Sequence, residues 1–208
     1  MSAQAALPER VDAVSPEDRA RADFYALIAR LFFAGPDAGL LAAIAGADEI
    51  AGEAEDDLLA QAWKSLISAA SAMDAEAAQY EYDSVFVGTG KAEITLYATQ
   101  YLSESMKENV LVRLRDELSE IGLAREQGAA EYEDHFSALC DVMRHLIFFD
   151  SNVAVQKQKM FFLQYLKPWY ESFCDSVIAS ANTNFYKYAA RFAKAFLDVE
   201  SESFELDQ

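Results

Sequence analysis

The chain has 208 residues, of which 52% are hydrophobic and 25% charged, and its formal net charge is −18. This length and composition suffice for a packed domain and argue against a disordered chain. The acidity argues against nucleic acid and anionic membrane surfaces as partners, and it favours basic partners only weakly, because an acidic surface also serves solubility.

The N-terminal half reads as a tail followed by helices. Residues 1–14 are expected to form a flexible tail. Ser15 suits the N-cap of a first helix and Pro16 its first helical position, and Gly35 and Pro36 end that helix. Apolar periodicity and caps predict three further helices, at about 38–45, 58–73 and 74–88, the last of them capped by Asp74.

The C-terminal half continues this pattern with few glycines or prolines. Apolar residues at helical spacing predict helices over 107–123 and 131–149, one through 162–166, one opened by Pro168 and a last one through Phe196. No segment alternates as a strand does. We predict an all-α fold, a single globular domain of roughly nine helices over residues 15–199, followed by an acidic tail at 200–208 that frays.

The loop sequence GTGK, at residues 88–91, resembles part of a phosphate-binding loop. A Walker loop requires GxxxxGK followed by Ser or Thr, whose hydroxyl reaches the magnesium ion. Here Ala92 follows the lysine, Val85 stands in place of the first glycine, and a helix precedes the loop. We therefore expect a helix C-terminus, in which Gly88 takes the left-handed conformation and Gly90 allows a second turn.

The histidines and cysteines give no sign of catalysis or of a metal site. His135 and His145 lie ten residues apart without an HExxH motif. Cys140 follows His135 by five residues on a predicted helix, so their side chains point in different directions. Cys140 and Cys174 form neither a CxxC motif nor a disulfide framework, which indicates a reducing compartment. We predict no enzyme activity, no metal and no cofactor.

Targeting signals are also missing from the sequence. The N-terminus has no apolar core of signal-peptide length, and no apolar run reaches the length of a membrane span. We predict a soluble, cytoplasmic protein without direct membrane insertion.

Two groups of residues are candidates for ligand binding. Helical spacing from residue 131 would place Glu131, Asp134 and His135 on one face, although acids at a helix start are also ordinary caps. Aromatic residues surround the GTGK loop; most are expected in the core, and tyrosines also suit the rim of a peptide groove. These aromatic residues are Tyr80, Tyr82, Phe86, Tyr97 and Tyr101.

Four motifs taken together resemble a known family. They are EYDSVFVG at a helix end, the loop GTGKAEITLYATQYL, the segment EYEDH and the C-terminal FFLQYLKPWYESF. This order resembles the TorD/DmsD/NarJ family of cytoplasmic chaperones for molybdoenzymes, over about residues 20–198. The resemblance implies an all-helical fold, binding of a client enzyme's N-terminal signal, often a twin-arginine leader, and retention of the apo-enzyme until its molybdopterin cofactor is inserted.

The resemblance also implies site residues. By position, the loop motif corresponds to Phe86, Gly88, Gly90, Tyr97 and Tyr101, the acid–histidine motif to Glu131, Asp134 and His135, and Trp169 follows Pro168. A leader with paired arginines and an apolar segment requires carboxylates beside an apolar groove. We expect the arginines to face Asp83, Glu131 and Asp134, and the apolar part to contact Phe86, Tyr97 and Tyr101.

The chain departs from the family pattern at three positions. Thr89, Glu93 and Tyr132 stand where prolines are usual, so the loop is expected to be less stiff. The client is left open among a formate dehydrogenase, a nitrate reductase and an S- or N-oxide reductase. A break near 150–153 is a potential hinge for a homodimer formed by exchange of C-terminal helices.

Two other functions remain open from the sequence alone. One is a nucleotide-binding or nucleotide-hydrolysing protein that uses the GTGK loop. Guanine-nucleotide binding has been proposed for chaperones of this family, but the failed Walker pattern gives it no support here. The other is a plain helical adaptor, in which every residue named above is core or cap.

Overall fold

The structure, a computed structural model, describes residues 15–50, 57–107, 109–123, 132–148 and 152–206. Within these ranges the chain forms ten α-helices, two π-helical segments and one 3-10 turn, close to the nine helices predicted. The one extended pairing in the described ranges is an isolated antiparallel bridge between Tyr97 and His135. The predicted all-α fold is confirmed. The predicted tail at 1–14 and Glu131 lie outside the described residues.

The helices follow the predicted order. They are α1 (Pro16–Phe33), α2 (Ala38–Ala45), α3 (Leu58–Ala72), α4 (Ala75–Tyr82), α5 (Glu104–Lys107), α6 (Val110–Glu120), α7 (Phe136–Phe148), α8 (Asn152–Phe161), α9 (Tyr170–Ala179) and α10 (Tyr186–Leu206). The π-helical segments Asp83–Val87 and Phe162–Leu166 continue α4 and α8, and the 3-10 turn is Ala98–Gln100. Among the described helices, none is long and apolar enough to cross a lipid bilayer.

Four helix starts are fixed by side-chain caps. The side-chain oxygens of Ser15, Asp37, Asp57 and Asp74 accept hydrogen bonds from backbone N–H groups in the first turns of α1 to α4. Such caps satisfy donors that have no partner inside the helix. The predicted caps Ser15 and Asp74 are confirmed.

The core is built around the end of α1, which packs on α7, while α10 packs on α9 and α3. The buried ring of Phe32 contacts rings from four other parts of the chain, with centroids between 5.2 and 5.9 Å away. These rings belong to Phe86, Phe136, Phe173 and Tyr186. Most of these pairs adopt the edge-to-face geometry that aromatic quadrupoles favour.

Two tyrosines satisfy carbonyl groups at the C-terminus of α1. The Tyr82 hydroxyl donates to the carbonyl oxygen of Phe33 at 2.7 Å, and the Tyr186 hydroxyl donates to that of Leu31 at 2.9 Å. The last carbonyls of a helix lack intrahelical partners, so buried hydroxyls there stabilise the helix end. These bonds fix α4 and α10 against α1.

The last helix is longer than predicted. The sequence analysis assigned residues 200–208 to a frayed acidic tail, whereas α10 continues through Leu206. Within this extension Glu200 is buried. Arg21 donates to its two carboxylate oxygens at 2.7 and 2.8 Å, and the Tyr25 hydroxyl donates to it at 3.0 Å. The charge pairing therefore compensates the cost of burying this carboxylate.

The predicted hinge for helix exchange falls where the description has a gap. Residues 149–151 lie outside the described ranges, and α8 begins at Asn152. The helix-exchanged homodimer stays a prediction.

Candidate functional site

The GTGK loop begins at two glycines that follow the π-helical segment Asp83–Val87. Gly88 has φ 66° and ψ 174°, and Gly90 has φ 111°, so both have positive φ, but the left-handed conformation predicted for Gly88 is wrong. The ψ value of Gly88 lies outside the left-handed helical region, in backbone space used almost only by glycine. A Cβ at Gly88 would collide with the main-chain oxygen of Lys91, whereas Gly90 faces open space. The loop therefore follows a helix end, not the strand that a Walker loop requires.

The loop meets the segment that precedes α7, as the chaperone interpretation requires. The backbone N–H of Phe136 donates to the Leu96 carbonyl at 2.8 Å, and that of Ala98 donates to the Asp134 carbonyl at 3.1 Å. Together with the Tyr97–His135 bridge, these bonds join two segments far apart in the sequence. We call the loop 88–101 and the segment 132–136 together the loop site.

The pairing with the loop also moves the start of α7. The sequence analysis began this helix at residue 131 and placed Asp134 and His135 on one of its faces. The helix begins at Phe136, because residues 132–135 turn and pair with the loop instead. The predicted shared helix face is therefore wrong, although Asp134 and His135 do lie beside the loop.

The Asp134 carboxylate supports the loop from inside. Its side chain is only 3% exposed, and Oδ2 accepts a hydrogen bond from the backbone N–H of Thr99 at 3.1 Å. A buried carboxylate that accepts a backbone N–H is stabilised in place and is poorly accessible to a ligand. Asp134 thus positions the 3-10 turn, and its expected contact with a client's arginine has no support in this geometry.

His135 also has a structural task. Its Nδ1 accepts a hydrogen bond from the backbone N–H of Ser137 at 3.2 Å, which caps the start of α7. The imidazole packs edge-on against the Tyr97 ring, with centroids 5.1 Å apart. Burial lowers the pKa of His135 to about 4, because desolvation disfavours the charged form. The imidazole is therefore neutral near pH 7.

Tyr101 connects the loop to the motif around Trp169. Its ring stacks on the Trp169 indole with centroids 5.3 Å apart, and its hydroxyl donates to the Thr95 carbonyl at 3.0 Å. Burial, and then the nearby Cys174, raise the pKa of Tyr101 to about 12. The Trp169 Nε1–H donates to the Tyr165 carbonyl at 2.7 Å, so both rings are held in place.

Part of the accessible surface of the loop site is an aromatic edge. Tyr97 is half-buried, and the ring of Tyr132, with 54% of its surface exposed, lies 6.2 Å from it. Beside them, Arg115 donates to both carboxylate oxygens of Glu133 at 2.9 and 3.1 Å. We call Tyr97 and Tyr132 the aromatic edge; it offers apolar surface with polar tips to a ligand.

Two predicted site residues, Phe86 and Asp83, contact parts of the protein other than the aromatic edge. Phe86 is a core residue, packed between Tyr82 and Tyr186 at 5.4 and 5.0 Å, so the expectation that it lines a groove is wrong. Asp83 is exposed and accepts a hydrogen bond from Gln79 Nε2 at 3.0 Å. Among the described predicted acids, Asp83 is the one that faces solvent.

Sequence reasoning missed the role of Glu93. Its carboxylate accepts hydrogen bonds from Ser180 Oγ at 2.6 Å and Asn182 Nδ2 at 2.7 Å. These bonds, that of Ser180 first, lower the pKa of Glu93. They tie the loop to the turn between α9 and α10. Glu93 stands where proline is usual in the family, and its two hydrogen bonds anchor the loop instead. This departure from the family pattern was the one sequence feature that could have pointed to the role of Glu93.

Sequence reasoning also missed Glu81. This buried carboxylate accepts hydrogen bonds from the backbone N–H groups of Asn184, Phe185 and Tyr186, at 2.8, 3.0 and 2.8 Å. It caps α10 from a helix about a hundred positions earlier in the chain, and negative charge suits that helix end. No local pattern could reveal the pairing.

The described residues thus form an all-helical fold in which two of the motif segments, the loop and the segment before α7, meet at the aromatic edge. A family model described as nitrate reductase delta subunit matches residues 53–175, more than half of the chain, and the chain belongs to this family. Two curated relatives from strains of Vibrio cholerae serotype O1 are both named Chaperone protein TorD. Each is 25% identical over 197 residues, which cover 86% of this chain and 90% of the relative.

These findings confirm the family predicted from the motifs. The relatives carry the names of chaperones and not of enzymes, in agreement with the prediction that this chain performs no catalysis.

Proposed function

We propose that the protein is a cytoplasmic chaperone that binds the N-terminal signal segment, of twin-arginine type, and the apo form of a molybdenum-containing oxidoreductase. It holds this client until the cofactor is inserted, before assembly or export. Family membership and the chaperone names of the relatives support this proposal. The observation that carries it is the meeting of the loop 88–101 with the segment 132–136.

The loop site suits the two parts of such a leader in different ways. The apolar part packs on the aromatic edge, Tyr97 and Tyr132, because tyrosine rings give contact area at low conformational cost. The arginines contact surface carboxylates, of which Asp83 is exposed. A guanidinium–carboxylate pair is the stronger kind of hydrogen bond, and it distinguishes arginine from lysine. Glu131 stays a predicted contact.

The electrostatics of the whole chain favour a cationic ligand. The formal net charge of −18 attracts a basic leader over a distance and accelerates its encounter. His135 does not oppose it, because its lowered pKa of about 4 leaves the imidazole neutral near pH 7. Asp134 and His135 act in this scheme by holding the loop, and the leader contacts residues around them.

Isothermal titration calorimetry with synthetic leader peptides tests the proposal. A peptide with the Arg-Arg pair should bind, and the same peptide with Gln-Gln should bind at least about tenfold more weakly, because charge-assisted hydrogen bonds are lost. A client reductase should also co-purify with the protein from its native host. Failure to bind any twin-arginine or molybdoenzyme N-terminal peptide, with no reductase recovered, would contradict the proposal.

A further inference from the structure

A surface groove runs between α3 and α10, and none of its lining residues belongs to the loop site. It consists of two adjoining cavities of about 610 and 320 Å³ that share Ser65. Small residues of α3, including Ser68 and Ala69, form one wall, and Phe185 and Tyr188 belong to the other. A wall of small side chains allows another backbone to approach closely.

The shape of this groove suits a chain segment better than a compact small molecule. Along α3 and its C-cap the lining residues extend from Leu58 to Met73, a length of about 22 Å given the rise per residue of an α-helix. This length corresponds to about four helical turns. The groove is therefore long enough for a helix of about 15 residues.

The charge of the two walls is opposite to that of the whole molecule. The chain contains 35 Asp and Glu residues, but only one of them, Asp198, lines the two cavities. The other charged lining residues are the cations Lys64, Arg191 and Lys194, and Lys187 lies next to the groove beside Tyr188. The lining therefore carries a net positive charge on an acidic protein.

Two of these cations have anionic neighbours. Lys64 Nζ lies 3.3 Å from the Glu49 carboxylate, and Lys194 Nζ lies 4.0 and 3.9 Å from Asp175 and Asp198. Their charges are therefore partly compensated within the molecule.

The other two cations flank Tyr188. Lys187 Nζ lies 5.3 Å, and the Arg191 guanidinium carbon 5.7 Å, from the centre of its ring. Neither has a carboxylate within ion-pair distance in the part of the chain that the structure describes. Cations beside an aromatic ring in an exposed groove are available to an anionic ligand.

We propose that this groove binds an acidic amphipathic helix of a partner protein. The apolar face of that helix packs on Ala69 and Tyr188, and its carboxylates face Lys187 and Arg191. A twin-arginine leader is disfavoured here by the same cations. A polyanion such as nucleic acid is disfavoured by the net charge of −18, because its long charge array extends beyond the groove. The inference goes beyond the proposed function and does not depend on it.

The probe for this proposal is a fluorescein-labelled model helix of 16 residues. One face carries leucine and alanine, and the flanking positions carry four glutamates; a matched peptide carries lysines instead. Fluorescence anisotropy at low salt should detect binding of the glutamate peptide and at least about tenfold weaker binding of the lysine peptide, with weakening as salt rises. Equal binding of the two peptides, or no binding of the glutamate peptide, would overturn the proposal.

Matched charge reversals locate the binding surface. The double variant Lys187→Glu/Arg191→Glu should lose at least about tenfold in affinity, because two attractive contacts become repulsive. The double variant Arg144→Glu/Lys157→Glu makes the same change in net charge on exposed positions of α7 and α8 and should bind as the unmodified protein does. Circular dichroism reports whether each variant is folded.

A third variant tests the groove without changing charge. Ser68→Leu places a larger side chain on the small-residue wall and so narrows the groove. It should weaken binding of the glutamate peptide by roughly 3-fold or more, because the added side chain hinders close approach of the helix. Equal losses in both charge-reversal variants would show only a dependence on net charge and would overturn the assignment to this groove. Displacement of the peptide by a short single-stranded oligonucleotide would overturn the choice of a helical partner.

Discussion

The loop site and the α3–α10 groove differ in what their polar groups do. In the loop site, the polar side chains that match the family motifs make hydrogen bonds within the protein. Asp134 accepts one from the backbone of Thr99, and His135 accepts one at the start of α7. No motif residue lines the groove, yet Arg191 in it and Lys187 beside it have no ion-pair partner among the described residues. Motif residues here mark a scaffold, whereas the uneven charge distribution marks a surface available to a partner.

Glu81 supports both regions, and its removal is expected to have the largest effect. It lies on α4, just before the loop, and caps α10, which forms one wall of the groove. Glu81→Ala should lower the free energy of unfolding by about 3 kcal/mol, because three backbone donors lose a charged acceptor. Urea denaturation measures this.

The matched control for Glu81→Ala is Glu202→Ala, at an exposed position of α10. It should change stability by at most about 0.5 kcal/mol. Similar small effects in both variants would mean that Glu81 does not anchor the two regions.

Gly88→Ala should damage the loop site and leave the groove intact. Its φ of 66° and ψ of 174° are strained for alanine, and the added Cβ meets the Lys91 main chain. We expect Gly88→Ala to lower the free energy of unfolding by about 3 kcal/mol. Gly90→Ala should lower it by about 1 kcal/mol, because Gly90 has positive φ but open space around it.

Two binding assays on the Gly88→Ala variant test whether the change affects the loop site alone. Calorimetry should show a weakened leader, and anisotropy should show unchanged binding of the glutamate helix. Equal losses of stability in Gly88→Ala and Gly90→Ala would show that the close contact with Lys91 does not destabilise the Gly88 variant.

His135, in the loop site, gives the fold a pH-dependent stability. Its pKa is about 4 in the folded protein and 6.5 in the unfolded chain. Between these values the unfolded state binds the proton and the folded state does not, so stability is lost as pH falls from 6.5 towards 4. At about pH 5 the loss is about 2 kcal/mol relative to neutral pH.

The variant His135→Asn isolates this contribution, because asparagine still offers an acceptor to the Ser137 N–H and does not titrate. Urea unfolding at about pH 7.5 and about pH 5 should show a smaller acid-induced loss in the variant than in the unmodified protein. Identical losses would show that the buried imidazole does not set the pH response.

Local sequence patterns predicted the elements whose ends depend on nearby residues. Ser15 and Asp74 cap the helices assigned to them, and Gly88 and Gly90 have positive φ. The start of α7 was wrong by five residues, because the segment before Phe136 pairs with a loop about 35 positions earlier. Helical periodicity carries no information on such a pairing.

The candidate site was predictable as a neighbourhood and not as a set of contacts. Tyr97 and His135, which belong to two separate motifs, do lie in contact. Whether Phe86 lies in the core or at a surface depends on neighbours from distant helices, and so does the burial of Asp134. The roles of carboxylates such as Glu81 were invisible for the same reason.

The central claim is that the apolar part of a leader packs on the aromatic edge of the loop site while its arginines contact the exposed carboxylate of Asp83, which precedes the loop. Calorimetric titration of one twin-arginine peptide into the unmodified protein, Asp83→Asn and Asp134→Asn tests it most directly. We predict binding to the unmodified protein, roughly 5-fold weaker binding to Asp83→Asn, and little change in Asp134→Asn, whose amide oxygen still accepts the Thr99 N–H. No binding to the unmodified protein, or a loss confined to Asp134→Asn, would contradict it.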